Sequence, residues 1–218
     1  IRRKTPPRRP LPFFLPLMKL VYSVIFKTGS TRAGSAGPVI LSSAAELSSF
    51  GYFQRSSIKE MLTFGARTLA TSVAPGERKS VKLEGFFCHV YGSASGVTAA
   101  CVADAEYPSR VAFAYLSKLC EDFVAASGGR LSAAADDDCM NAQFPGHGPL
   151  LTKFQDPSQA DQLTKIMQDL EETKVVLHNT IEAALERGQK IDDLVSKSND
   201  LSGSSKMFYK TAKKQNQC

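Results

Sequence analysis

Cys88 and His89 are adjacent, and a cysteine beside a histidine is the smallest unit that could act as a nucleophile with its base. They fall in residues 86–91, a run rich in aromatic and β-branched side chains that is predicted to be a strand. Neighbours along a strand point to opposite faces, so the imidazole cannot reach the thiol, and the pair reads as a buried cysteine and an outward histidine. His147 lies in a Gly/Pro loop and His178 flanks a heptad seam; the three histidines have no metal-ligand spacing. Asp136-Asp137-Asp138 lacks the alternation of a calcium loop and reads as a solvated acidic stretch. No glycine loop of the phosphate-cradling kind occurs. No catalytic group, metal site or cofactor is therefore expected, and the chain is not expected to be an enzyme. Two residues still need explaining: Arg187, and Cys218 beside the basic patch of Lys206, Lys210, Lys213 and Lys214.

The element that positions Arg187 is a heptad repeat. One track runs Leu163, Leu170, Leu177, Ala184, Ile191, Ser198, Ser205, Ala212; the other runs Ile166, Thr173, Thr180, Arg187, Leu194, Leu201, Phe208, Gln215. A 3.5-residue apolar period predicts a left-handed coiled coil, and no proline follows Pro157 to break it. One helix over residues 163–215 would be on the order of 80 Å long, too long to fold back as an ordinary core helix. Arg187 sits inside this seam. Buried, it needs acceptors from partner helices in the same layer and would fix their register; alternatively it snorkels out of a two-stranded coil.

The runs 171–174 and 185–194 around Arg187 resemble the arginine-contributing class of SNARE motif. Phe208-Tyr209-Lys210-Thr211-Ala212-Lys213-Lys214-Gln215-Asn216 is similar to the end of that motif in the Ykt6 family. The resemblance implies that Arg187 forms the central ionic layer of a four-helix bundle, with glutamines from three Q-SNARE helices. It also implies that Cys218 corresponds to a palmitoylated cysteine. The family's second, prenylated cysteine and short aliphatic tail do not follow in the sequence as it stands. A basic patch and an acyl chain together give firmer membrane binding than either alone.

Over the whole chain the composition is that of an ordinary globular protein, 43% hydrophobic and 9% aromatic. The net charge of +6 suits an anionic surface, but no basic-aromatic recognition motif accompanies it, so nucleic acid is not an expected partner. Five cysteines without framework spacing suit reduced thiols. No run approaches the ~18 apolar residues of a membrane span. Residues 1–17 read as a basic, proline-rich disordered extension, with a targeting peptide or polyproline ligand as alternatives, and the folded part is expected to start at Met18. Strands are predicted at 20–26, 38–47, 79–83, 86–91 and 97–103, and helices at 56–73 and 108–126.

The order β-β-α-β-β-β-α predicts an α+β domain with an antiparallel five-stranded sheet. The runs 49–57, 88–91 and 106–113 are similar to the longin domain, a profilin-like fold. The expected organisation is an extension over 1–17, a longin domain over 18–128, a linker over 129–157, and the coiled-coil segment with its lipidation region over 158–218. In the resembled family the first helix, which here carries Phe64, lines an apolar groove. That groove takes the SNARE segment or the lipid in a closed, cytosolic form; a plain core role is the alternative for Phe64. The resemblance implies an R-SNARE that drives vesicle fusion in ER–Golgi, endosomal or vacuolar traffic, cytoplasmic and peripheral on those membranes. A trafficking adaptor with a homodimeric coiled coil is the rival reading.

Overall fold

A computed structural model describes residues 19–29, 37–83, 85–128, 131, 137–158, 174–185 and 189–216. Strand β1 (Leu20–Lys27) is apolar almost throughout and buried on both faces, as expected of a central strand between two layers. It pairs antiparallel with β2 (Ile40–Ala45) and with β5 (Val97–Asp104). β4 (Phe86–Gly92) joins β5 to β3 (Arg78–Leu83), again antiparallel. The α+β sheet expected from the sequence is present, with one strand more than expected. β6 (Val175–His178) adds to β3 in parallel, giving the order β2-β1-β5-β4-β3-β6.

Helix α1 (Arg55–Ala70) runs on from a short 3-10 turn at Tyr52–Gln54 and covers one face. Its Ile58, Ala66, Leu69 and Ala70 pack on Tyr22, Val24, Phe26, Cys88, Val90 and Val102. Helix α2 (Ser109–Ser127) covers the other face, where Ala99, Cys101 and Ala103 of β5 are small enough to let it approach closely. The 3-10 turn at Tyr52–Gln54 and α1 are joined to the sheet so that the domain has three layers, helix, sheet and helix.

Residues 137–157, expected as linker, pack with the domain. Met140, Phe144, Leu151 and Phe154 are buried in the α2-side core, the last two on or beside helix α3 (His147–Lys153). The stretch also covers the open edge of β2. Asp138 and Met140 donate backbone N–H to Ile40 and Leu41 carbonyls at 2.8 and 3.0 Å. Asp137 Oδ1 accepts the Ile40 N–H at 2.9 Å. An edge closed this way cannot pair with another chain. The acidic run is thus structural rather than freely solvated, at least at Asp137 and Asp138; Asp136 lies outside the described residues.

The single helix expected over 163–215 is not what this chain forms alone. Its described part is β6, then α4 (Ile181–Ala184), α5 (Ile191–Lys197) and α6 (Gly203–Asn216). A lone helix with an apolar seam has nothing to bury the seam against. Here the seam residues are shared out along the edge of the sheet and the outer side of α1 instead.

Candidate functional site

The outer side of α1 carries Met61, Phe64 and Arg67 at helical spacing, with Glu60 beside them. Phe64 is buried, and what buries it is the C-terminal arm: Ile191, Val195 and Leu201, with Leu194 and Tyr209 against the same cluster. Each such apolar side chain contributes roughly 1.5–3 kcal/mol when fully buried, before the cost of ordering the arm. Phe208 packs beyond this cluster against the α1-side core.

Polar contacts fix the arm at both ends of the groove. Arg67 is only 5% exposed. Its guanidinium donates to Asp137 at 2.6 Å and to Asp200 at 2.8 Å, joining α1 to the β2-edge segment and to the arm. Gly37 has no side chain because Arg67 occupies that space: a Cβ there would lie 2.4 Å from Arg67 Cγ. Glu60 accepts the Ser202 N–H at 2.9 Å and the Ser205 hydroxyl at 2.8 Å. Burial pushes the Glu60 carboxyl up, but those donors outweigh it and hold it below its ordinary value. Within the arm, Asp192 accepts from Lys213 and from Tyr209 at 2.7 Å. Lys213 first, then Tyr209, keeps the Asp192 carboxyl low.

The structure places the heptad residues as follows. Leu177 is on β6 and 62% exposed. Thr180 caps α4, its hydroxyl accepting the Ala183 N–H at 3.2 Å. Ala184 is buried on the α1 side. Ile191, Leu194 and Leu201 converge on Phe64. Ser198 accepts the Asp200 N–H at 3.1 Å, Ser205 is bound to Glu60, and Ala212 is half-buried on α6. Leu163, Ile166, Leu170, Thr173, Arg187 and Cys218 lie outside the described residues.

Cys88 and His89 do point to opposite faces, which removes the nucleophile–base pair. His89 is not outward, however: it is buried under α2, edge-on to Phe113 at 5.3 Å, with Ser80 Oγ 2.7 Å from Nδ1. Burial lowers its pKa to about 4. His147, expected in a loop, starts α3 and is buried in a hydroxyl network. Tyr115 donates to Ser23 Oγ at 2.7 Å, so the Ser23 proton is available to His147 Nε2 at 2.7 Å. Nδ1–H then donates to Ser42 Oγ at 2.8 Å. Burial lowers the His147 pKa to about 4 as well, so the ring is neutral and holds α3 onto β1 and β2. Arg67, Glu60 and Asp200 were not foreseen. The available signal was an arginine between Ala66 and Leu69 on an otherwise buried face.

A sheet sandwiched between helices, with a heptad arm stowed along its first helix, defines a longin domain joined to a SNARE segment. Family models agree. A Longin regulated-SNARE-like domain matches residues 47–146 and Synaptobrevin matches residues 162–217. The chain is 45% identical over 184 residues to the VAMP-like protein YKT61 of Arabidopsis thaliana, covering 84% of this chain and 91% of that one. It is 39% identical over 201 residues to the synaptobrevin homolog YKT6 of Saccharomyces cerevisiae, covering 92% and 98%. Against the synaptobrevin homolog ykt6 of Schizosaccharomyces pombe it is 42% identical over 179 residues, covering 82% and 89%. The chain belongs to the Ykt6 family of longin-domain synaptobrevin homologues. It is an R-SNARE of membrane traffic and not an enzyme. Among the described residues no helix is long and apolar enough to cross a membrane.

Proposed function

We propose that the chain donates one helix to a four-helix bundle with three Q-SNARE helices, and that Arg187 forms its central ionic layer. Assembly pulls vesicle and target membranes together in ER–Golgi, endosomal or vacuolar traffic, with acylation of Cys218 holding the chain on the cytosolic face. The folded-back arm is the resting form: Phe64 and its neighbours occupy the seam until partner helices replace them. The observation that carries this reading is that Ile191, Leu194 and Leu201, which a coiled coil must bury, are the same residues that bury Phe64. Groove and bundle therefore compete for one set of side chains. A buried guanidinium needs acceptors on every partner, and three carboxamides provide them without adding charge.

The test is to mix the purified chain with a trio of Q-SNARE helices and read the stoichiometry by light scattering. A heterotetramer is expected, and Arg187→Leu should weaken it or alter which trios are accepted while the longin domain stays folded. A homodimer with no heterotetramer, or an unchanged partner profile for Arg187→Leu, would overturn the reading.

A further inference from the structure

Among the described residues, one aromatic pair is left in water. Tyr52 is 76% exposed and Phe53 is 94% exposed, on the 3-10 turn that leads into α1. The rings meet edge-to-face at 5.5 Å, and the Arg55 guanidinium lies 6.0 Å from the Tyr52 centroid. Arg55 also donates to the carbonyls of Phe50 and Ser48 at 3.0 Å each, which braces the turn from below. This is an exposed turn held by hydrogen bonds, and not a frayed end.

The arm brings positive charge to the same end. Asp200 meets Arg67, and Ser202 and Ser205 meet Glu60, so the arm enters α6 passing from the Arg67 end of α1 towards its Glu60 end, the end nearer Tyr52 and Phe53. From Ser205 to Lys214 is about 14 Å of helix; from Glu60 back to Phe53 is roughly 10–14 Å. The two lengths are alike, so α6 is long enough to carry Lys214 to the level of Phe53. The outward stripe of α6 is Met207, Lys210 and Lys214, spaced to share one face, with Met207 71% exposed. Lys59, one turn into α1, is exposed as well.

We infer that the Tyr52–Phe53 turn and the outer stripe of α6 form a docking surface for an anionic lipid bilayer. Aromatic side chains on a protruding turn sit well at the headgroup level, where ring and polar edge are both satisfied. Lysines around them are attracted to anionic headgroups. A protein groove fits the observations less well, since the flanking groups are long, hydrated lysines, which protein interfaces disfavour. The surface touches the membrane in the folded-back form, so it acts before any bundle forms. It uses the stowed position of α6 but not the ionic layer.

The chain has no tryptophan, so Phe53→Trp gives a single tryptophan at the site, excited selectively at wavelengths that tyrosine does not absorb. The full-length, unacylated Phe53→Trp chain is titrated with phosphatidylcholine vesicles, with and without phosphatidylserine. A blue shift with the anionic vesicles, suppressed by salt, is expected. By flotation, Tyr52→Ser/Phe53→Ser and Lys210→Glu/Lys214→Glu should each lower the partition coefficient of the otherwise unaltered chain about tenfold or more. Equal partitioning of the variants, or emission that ignores vesicles yet shifts on adding the Q-SNARE trio, overturns the inference. Assembly with that trio is scored in parallel, because the serine variant should assemble normally. Loss of assembly by the serine variant would assign the turn to the bundle and overturn this inference, whereas failure of the unsubstituted chain to assemble would count against the bundle reading alone.

Discussion

The Arg67–Asp200 contact is one of those that hold the arm in place, and Asp200→Asn isolates it. Replacing Arg67 itself would also break its contact with Asp137 and blur the result, because the guanidinium holds both carboxylates. A hydrogen bond to a charged group contributes about 1.5–3 kcal/mol net. The Asp200 side chain keeps 23% of its exposure, and Arg67 would still hold Asp137 at 2.6 Å, which places the loss near the lower end. A cost of about 1.5–2 kcal/mol multiplies the open population by roughly 10–30, at about 1.4 kcal/mol per factor of ten. Native-state hydrogen exchange reads this directly. Amides of α5 and α6 should exchange roughly 10–30 times faster, while those of β1 and β5 stay unchanged. The reasoning fails if exchange rises uniformly over the domain, if the arm amides do not respond, or if Asp137→Asn alone reproduces the effect.

Leu201→Ala removes a side chain that is 6% exposed beside Phe64, and should loosen the arm by about 2–3 kcal/mol. Proteolysis within residues 189–202 should accelerate without a matching fall in the melting temperature of the sheet. Gly92→Ala would place a Cβ 2.3 Å from the Ala74 carbonyl oxygen, a backbone atom that cannot rotate away. A stability loss of at least about 2 kcal/mol is expected in denaturant titration. His147 is neutral when folded, with a pKa lowered to about 4, whereas the unfolded chain protonates near pH 6.5. Its contribution is present above pH 6.5 and is lost as pH falls towards 4, to the extent of about 3 kcal/mol. His147→Gln should flatten the acid limb of stability against pH, leaving the slope due to His89.

The layered sheet was legible because its strands are nearly unbroken apolar runs and α2 repeats its apolar residues at helical spacing. The heptad tracks were legible as a list of residues that must be buried. They could not say against what, since periodicity names the stripe and not its partner. Val175–His178 shows the limit: two β-branched residues sit inside a helical repeat, and only the nearby open edge of β3 decides for strand. Met140, Phe144, Leu151 and Phe154 were missed because Pro145, Gly146, Gly148 and Pro149 interrupt them, so no period survives. Arg67 was missed because its carboxylates lie 70 and 133 residues away, a separation that local patterns do not report.

The four residues of β6 hold a ladder with Arg78–Val81 that runs between segments of the chain. A bundle helix would require the same backbone amides to turn inward and bond along their own segment. Nothing intermediate satisfies both patterns, and midway the groups would have only water. Deployment of the arm into the proposed bundle would therefore be a local refolding with its own activation barrier, not the swing of a hinge. The sheet edge would then act as a timer on how soon a released arm is ready to zip.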